Sequence, residues 1–248
     1  AGSTVSLPNV GSMVKTGYDF AGWSTSSTGS VHSGAFTTTS DVTMFAIWTI
    51  KTIPYGYDRG VAKGVNLTSS HVARFPNPSS FNSTYGATVT LPTVGSTSSN
   101  IAGTATVTGS TFKFFGWSYD EVTYSPGATY VLPELVAPET RKVFTAQWVE
   151  LLSVRYALNG GSGIIDVDPE CIQDGEKCLA NQVIVLSEAP TRDGYEFAGW
   201  RNQANTETKD AGDAVAVTDT SYLWYAQWTP IPYEITFNSA GGGLSHDP

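Results

Sequence analysis

The sequence has few of the residues that build metal, redox and nucleophilic sites. Its 248 residues include only two Cys and three His, which excludes a site rich in thiol or imidazole ligands. The three histidines, His32, His71 and His246, stand in polar surroundings without a nucleophile pattern such as Gly-x-Ser-x-Gly or His-Glu-x-x-His. No nucleophile, base and orienting group can be assembled from the sequence. We therefore expect no enzymatic activity and no cofactor.

Positive charge and long apolar runs are also scarce. The 13 Lys and Arg residues face 22 Asp and Glu, which gives a net charge of −9. A chain without a basic cluster offers no footprint for phosphate backbones, so nucleic acid is excluded as a partner. No run approaches the ~20 apolar residues of a membrane span, and the first residues lack the basic-then-apolar order of a signal peptide. We expect no membrane span here, and a secretion signal of the parent protein would lie outside this segment.

Aromatic residues, by contrast, are plentiful. They make up 12% of the chain within a hydrophobic content of 40%, enough apolar surface to exclude a disordered chain. The 25 Gly and 13 Pro follow no Gly-x-y period, which excludes a collagen-like sequence. The chain is therefore expected to fold around aromatic cores.

One sequence unit occurs three times. Its first half reads aromatic-x-Phe-x-Gly-Trp, its second half ends in aromatic-x-Ala-x-Trp or a close variant, and a short apolar run closed by Pro precedes it. The first halves are Tyr18–Trp23, Phe112–Trp117 and Tyr195–Trp200, and the second halves end at Trp48, Trp148 and Trp228. Residues that recur at one place in every unit are typical of core anchors. We predict that Trp23, Trp48, Trp117, Trp148, Trp200 and Trp228 form the cores, and that Trp224, in phase with Trp228, also faces inward.

Alternation of aromatic with small or polar residues predicts β-strands throughout. Tyr195–Ala198 and Tyr222–Trp228 show this period of two. A further strand opens each unit, at Ile53–Tyr57, Val154–Leu158 and Ile231–Asn238. We expect a mainly β fold of small domains, with at most one helical turn at 128–136 or in the 98–106 region.

The motifs around Trp200 and Trp228 resemble the Listeria–Bacteroides repeat, the internalin B-repeat-like module of bacterial surface proteins. The resemblance extends to Tyr18–Trp48 and Phe112–Trp148. It implies small β-grasp-like domains arranged in tandem on secreted or wall-anchored proteins, where they act as stalks or adhesive elements. The middle unit departs from the pattern, with insertions at 59–85 and 95–110.

The repeats give a domain organisation with short joints of three to five residues. We predict repeat 1 at 1–50, repeat 2 at 51–149, repeat 3 at 150–229 with a Cys-bearing loop at 166–180, and the opening strand of a further repeat at 230–248. Joints this short predict a semi-rigid rod of small domains.

The phase of the repeats allows two interpretations, because repeat 1 begins after its opening strand and residues 230–248 form an opening strand with no repeat behind it. In the first interpretation the chain is a fragment of a longer array. In the second, Tyr233, Ile235 and Phe237 form a donor strand that completes repeat 1 of the next molecule, so that copies assemble head to tail into a filament.

The two cysteines predict a disulfide. Cys171 and Cys178 are separated by six residues that include a Gly, as in a loop closed in an oxidising compartment. A metal site would need further ligands, and a redox pair is more often Cys-x-x-Cys. The loop also carries the carboxylates Asp166, Asp168, Glu170, Asp174 and Glu176. These favour a solvated acidic loop, with calcium binding as the less favoured alternative.

The sequence therefore predicts a structural or adhesive repeat segment of an extracellular, cell-surface bacterial protein whose partners are neighbouring copies. The alternative is a binding module in which the two insertions of repeat 2 present a site for a glycan or a host protein. Tyr119, Tyr124 and Tyr130 are the candidates for exposed contact residues.

Overall fold

The computed structural model describes residues 2–76, 80–165, 171, 177–218, 222–238 and 240–242. These residues form 21 β-strands and no helix, which confirms the mainly β prediction. The helical turn allowed at 128–136 or 98–106 does not form, since residues 129–131 and 104–107 are strands. Alternating Thr and β-branched residues pair well in these short antiparallel ladders.

The chain divides into two compact units, Ala1–Val149 and Glu150–Pro248. The first unit contains the segments predicted as repeats 1 and 2. The second contains the segment predicted as repeat 3 and the residues that follow it.

Repeat 1 is made of two antiparallel strand pairs. Its strands are β1 (Ser3–Ser6), β2 (Tyr18–Ser24), β3 (Ala35–Thr38) and β4 (Phe45–Ile50). β1 pairs with β3, and β2 pairs with β4 through a bulge between Phe20 and Gly22.

The Gly of each Gly-Trp motif lies where the backbone of another strand or loop passes close. Gly22 has a φ of 138°, and a Cβ there would lie 2.8 Å from the carbonyl oxygen of His32. Gly199 has a φ of 109° and is crowded in the same way by the Lys209 carbonyl, at 2.8 Å. A side chain at either position would push the two backbones apart, which explains why Gly precedes the Trp.

Repeat 2 contains the larger sheet of the first unit. Its strands are β5 (Thr52–Asp58), β6 (Val61–Ala62), β7 (Val65–Asn66), β8 (Ser80–Thr84), β9 (Thr88–Thr90), β10 (Thr104–Val107), β11 (Ser110–Tyr119), β12 (Val122–Tyr124), β13 (Thr129–Val131) and β14 (Lys142–Ser153). The sheet order is β10-β11-β14-β5-β8, and β12 pairs with β11. β6 pairs with β7 and β9 with β13. The predicted insertions are part of the core, to which they contribute Leu67, Val72, Phe75 and Ile101.

Repeat 3 has a four-stranded sheet of order β15-β21-β18-β19. Its strands are β15 (Arg155–Ala157), β16 (Lys177–Leu179), β17 (Val183–Val185), β18 (Tyr195–Asn202), β19 (Thr208–Lys209), β20 (Ala214–Ala216) and β21 (Leu223–Pro230). β17 pairs with β20, and β16 pairs with residues 151–153 of β14.

Repeats 2 and 3 each contain an equivalent pair of parallel strands. We call β5 and β15 the opening strands, and we call β4, residues 142–149 of β14, and β21 the closing strands, because they carry the last Trp of each repeat. β5 runs parallel to β14, and β15 runs parallel to β21. The registers are equivalent, since Tyr57 lies opposite Phe144 and Tyr156 opposite Trp224.

Candidate functional site

The opening strand covers the core of repeats 2 and 3. Tyr57 lies with its ring centroid 4.9 Å from that of Trp117, and Tyr156 lies 4.8 Å from Trp200. Both Trp residues are fully buried. One aromatic side chain of the opening strand therefore closes each repeat over its Gly-Trp indole.

A second contact fastens the end of the opening strand. The indole N–H of Trp148 donates to the carbonyl of Arg59 at 2.7 Å, two residues beyond Tyr57. In repeat 3, the indole N–H of Trp228 donates to the Leu158 carbonyl at 3.0 Å. The last Trp of the repeat thus holds the chain just after the opening strand.

Repeat 1 has no opening strand among the described residues. Counting back from the closing Trp, Met44 occupies the position of Phe144 and Trp224. The closing strand β4 begins only at Phe45, whereas β14 begins at Lys142, the equivalent of Val42. No described residue accepts a hydrogen bond from the indole of Trp48. We call residues 42–48 the acceptor edge, since the equivalents of residues 42–45 pair with an opening strand in the other repeats.

The open edge leaves repeat 1 without a closed core. No hydrophobic side chain among residues 2–50 is buried. Trp23 and Trp48 are partly exposed and pack edge-on against Phe20, at 5.6 Å each. The hairpin geometry is nevertheless that of the other repeats, because the Trp23 indole donates to the Pro8 carbonyl at 2.7 Å as Trp117 does to Pro92 at 2.9 Å.

Residues 231–242, which we call the donor segment, have the sequence pattern of an opening strand, and three of their apolar side chains are exposed. Tyr233, Ile235 and Phe237 are 75%, 76% and 92% exposed. The segment forms no strand in the described residues, and its alternating apolar side chains have no core to cover. It is held at its start, where the amide of Ile231 donates to the carbonyl of Gly194 at 2.9 Å.

The donor segment ends in the turn that follows an opening strand. The amide of Ala240 donates to Asn238 Oδ1 at 2.9 Å, as the amide of Gly60 does to Asp58 Oδ1 at 2.8 Å after β5.

The φ angles of this turn also match those that follow β15. Ala240 and Gly241 have φ of 46° and 89°, close to the 49° and 84° of Asn159 and Gly160. The donor segment therefore ends in the same kind of turn as the opening strands of repeats 2 and 3.

The joint between repeats 1 and 2 is held by polar and aromatic contacts. The Lys51 ammonium is paired with Glu134, whose other carboxylate oxygen accepts from the amide of Gly17 at 3.3 Å. These contacts lower the pKa of Glu134 and raise that of Lys51. The ring of Tyr85 lies against Gly17, where a Cβ would be 2.0 Å from the ring. Sequence reasoning missed this joint, although a Gly before the first aromatic residue recurs at Gly194 and was a usable signal.

The comparisons with known proteins identify the repeat. The family model of the Listeria-Bacteroides repeat domain matches residues 1–47 and 153–227. Both stretches belong to the Listeria-Bacteroides repeat family. Residues 48–152 lie outside the match, but this stretch shares with repeat 3 the parallel opening and closing strands and the Gly-Trp indole bonded to a backbone carbonyl.

The chain is similar to a protein of Evansella cellulosilytica named "Putative Gly-rich membrane protein". It is 26% identical over 256 residues, a match that covers 97% of this chain and 26% of the relative. The chain therefore spans about a quarter of the relative's length. No solved structure matches the chain. The described residues contain no helix with the length and hydrophobicity that a membrane span requires.

The matched stretch at 153–227 contains the predicted disulfide. Cys171 and Cys178 are bonded and buried in the core that also holds Trp200 and Trp224, both of which are fully buried. The disulfide prediction is confirmed. The carboxylates of the acidic loop, Asp166, Asp168, Glu170, Asp174 and Glu176, lie outside the described residues, so the calcium alternative stays untested.

Other predicted residues have local structural contacts. The ring of His32 packs against Phe36 at 5.1 Å, and His71 Nδ1 accepts from the amide of Thr68 at 3.1 Å. His246 lies outside the described residues. Among the described residues, no three His, Cys, Asp or Glu side chains are placed to hold a metal.

The three tyrosines proposed as exposed contacts pack instead around the closing strand of repeat 2. The rings of Tyr119, Tyr124 and Tyr130 lie 5.4, 6.3 and 5.1 Å from that of Phe144. The Tyr119 hydroxyl donates to Glu139 at 2.6 Å, and burial raises the pKa of Tyr130 to about 12. This corrects the expectation of exposed contact residues, since all three side chains are partly buried against the core that contains Phe144.

Proposed function

We propose that the chain is a structural repeat segment of a bacterial surface protein whose copies are joined by strand addition. The donor segment of one copy adds as a parallel opening strand to the acceptor edge of repeat 1 in a second copy. The observation that carries this proposal concerns the parallel pairing that closes repeats 2 and 3. Among the described residues, this pairing is made neither by residues 42–48 nor by residues 231–238 and 240–242.

The equivalent pairings predict the register of the joint. Phe237 takes the position of Tyr57 and Tyr156, so it lies opposite Met44 and covers the exposed indole of Trp23. Ile235 takes the position of Tyr55 and lies opposite Val42. Burial of each apolar side chain contributes about 1.5–3 kcal/mol before the cost of association is subtracted. Copies should therefore associate in a concentration-dependent manner.

Strand addition suits a structural role because it joins copies through backbone hydrogen bonds as well as side chains. A contact between two different surfaces that does not close on itself produces linear chains. The extracellular location is supported by the disulfide, which persists in oxidising compartments, and by the family. The proposal assigns the chain no catalytic role.

Sedimentation velocity over a concentration series tests the joint. The unmodified chain is expected to form species larger than a monomer as concentration rises, and Phe237→Asp is expected to remain monomeric. Thr236→Asp is the matched control, because it adds the same charge on the other face of the donor segment. A chain that is monomeric at every concentration, or a Phe237→Asp variant that associates like the unmodified chain, would contradict the proposal.

A second variant tests whether the donor segment is the strand that pairs with the acceptor edge. Residues 231–242 are duplicated ahead of residue 1 through a flexible linker, so that the edge can be filled from within the chain. We expect this variant to be monomeric and to bury Trp23, seen as a blue shift in its fluorescence. Association that continues unchanged would show that copies meet at another surface.

A further inference from the structure

The two insertions of repeat 2 enclose two neighbouring cavities. One has a volume of about 340 Å³ and is lined by aromatic rings and neutral polar side chains, among them Tyr55, Tyr57, Phe81 and Asn100. The other has a volume of about 460 Å³ and is lined by Arg59 and Arg74 with two Ser hydroxyls. Pro76 lines both, and Ser98 and Ser99 line one each. The cavities are therefore adjacent and chemically different.

Arg59 and Arg74 both line the second cavity, and neither has a charged partner there. The Nε atoms of Arg59 and Arg74 are buried and have no hydrogen-bond partner. No carboxylate of the described residues forms an ion pair with either guanidinium. Buried donors are normally satisfied. An unpaired pair of guanidinium groups in a cavity points to an anionic ligand, since Arg matches carboxylate, sulfate and phosphate oxygens.

Local contacts hold the backbone of both arginines and the side chain of Arg59 before any ligand binds. The Arg59 carbonyl accepts from Trp148, and the Arg59 guanidinium lies 4.9 Å from the ring centroid of Phe75. The Arg74 carbonyl accepts from the amide of Ala102 at 2.9 Å. Groups that are already ordered lose little further entropy on binding.

The aromatic cavity has the chemistry that a sugar ring requires. The rings of Tyr55 and Phe81 are stacked, with centroids 5.3 Å apart and planes 23° apart. Tyr57 also lines this cavity, together with the neutral polar side chains of Thr90, Thr93 and Asn100. A pyranose presents a C–H face to aromatic rings and a rim of hydroxyls to such polar groups.

We propose that the two cavities together bind an acidic saccharide. The aromatic cavity takes the ring, and Arg59 and Arg74 take its carboxylate or sulfate group. This site is independent of the strand joint and assigns the insertions of repeat 2 a binding role.

Titration of the ¹⁵N-labelled chain tests the site, because the Nε–H signals of arginines can be followed individually by NMR. The probes are N-acetylneuraminic acid, glucuronic acid and glucose 6-sulfate, with methyl glucoside as a neutral sugar and inorganic phosphate as an anion without a ring. We expect at least one acidic sugar to shift the signals of Arg59 and Arg74 and to bind more than about tenfold more tightly than methyl glucoside and phosphate. Its affinity should fall as salt is raised.

Three variants complete the test. Arg59→Gln and Arg74→Gln are each expected to weaken binding of the acidic sugar about tenfold or more. Lys113→Gln, which removes one positive charge from a strand of the same unit, should leave binding unchanged. Asn100→Ala should weaken binding of the sugar but not of phosphate. The proposal is overturned if none of the acidic sugars binds, if phosphate binds as tightly as they do, or if Lys113→Gln weakens binding as much as the arginine variants.

Discussion

Repeats 1 and 3 carry the same motif, but only repeat 3 closes around it. Trp200 is fully buried whereas Trp23 is partly exposed. The hairpins that hold the two indoles are alike, because Trp200 donates to the Ser187 carbonyl at 2.8 Å and Trp23 to the Pro8 carbonyl at 2.7 Å. The Gly-Trp hairpin alone therefore does not make a core.

The difference between the two repeats is the strand beside the closing strand. In repeat 3, Tyr156 of the opening strand covers Trp200, and Trp224 opposite it is fully buried. In repeat 1, Met44 lies at the position of Trp224, just before the closing strand, and no described opening strand pairs with it. The opening strand is thus the element that converts a hairpin and a closing strand into a buried core.

The largest expected difference is in the loss of stability when each of the two equivalent Trp residues, Trp23 and Trp200, is replaced by Ala. Trp200→Ala should lower the free energy of unfolding of the second unit by about 3–5 kcal/mol, the usual cost of removing a fully buried aromatic side chain. Trp23→Ala should cost much less, since its indole is partly exposed and its surroundings can collapse. Urea unfolding followed by far-ultraviolet circular dichroism measures both.

The same two substitutions, Trp23→Ala and Trp200→Ala, also test whether the opening strand causes the difference between repeats 1 and 3. In the variant that carries residues 231–242 ahead of residue 1, Trp23→Ala should become more costly, while the cost of Trp200→Ala stays the same. Equal costs of Trp23→Ala with and without the added strand would show that the opening strand does not determine burial.

The disulfide is the second feature that repeat 1 lacks. Replacing both Cys171 and Cys178 with Ser should destabilise the second unit by about 2–3 kcal/mol, as the chain-entropy model gives for a short loop. The first unit should be unaffected. Amide hydrogen exchange resolves the two units in one measurement.

This variant also separates two explanations of the closed core. If the backbone amide of Trp200 stays protected from hydrogen exchange after the disulfide is lost, the opening strand suffices to close repeat 3. If protection of Trp200 collapses to the level of Trp23, the crosslink and not the strand accounts for the difference between the repeats.

The strands and the motif were predictable from the sequence because they follow local patterns. The alternation of aromatic with small or polar residues predicted β2, β18 and β21. The recurring Gly-Trp motif indicated the hairpins that contain a bulge.

Other features depend on contacts between distant residues and left no periodic signal. Glu134 meets Gly17 across 117 residues of sequence. Arg59 and Arg74 come together only because the insertion between them folds onto the core through Val72 and Phe75. The partial burial of Tyr119, Tyr124 and Tyr130 was missed because these residues lie on three separate strands that come together only around Phe144.

The smallest expected effect concerns the joint that holds repeat 1 to repeat 2. Both side chains of the Lys51–Glu134 pair are partly exposed, so the pair contributes little at moderate salt. Its pH dependence has a defined sign, because the pKa of Glu134 is lowered from 4.5 in the folded chain. The contribution is present above pH 4.5 and is lost as the pH falls through the folded value.

Glu134→Gln tests whether the open repeat depends on this neighbour. Amide exchange of repeat 1 at neutral pH should become slightly faster, and the variant should lose the acid-dependent step that the unmodified chain shows below pH 4.5. Glu207→Gln, which removes the partner of Lys209 in the second unit, is the matched control and should leave repeat 1 unchanged. If Glu134→Gln leaves repeat 1 as protected as before at every pH, the remaining joint contacts, led by Tyr85 against Gly17, are enough to order a repeat that has no closed core of its own.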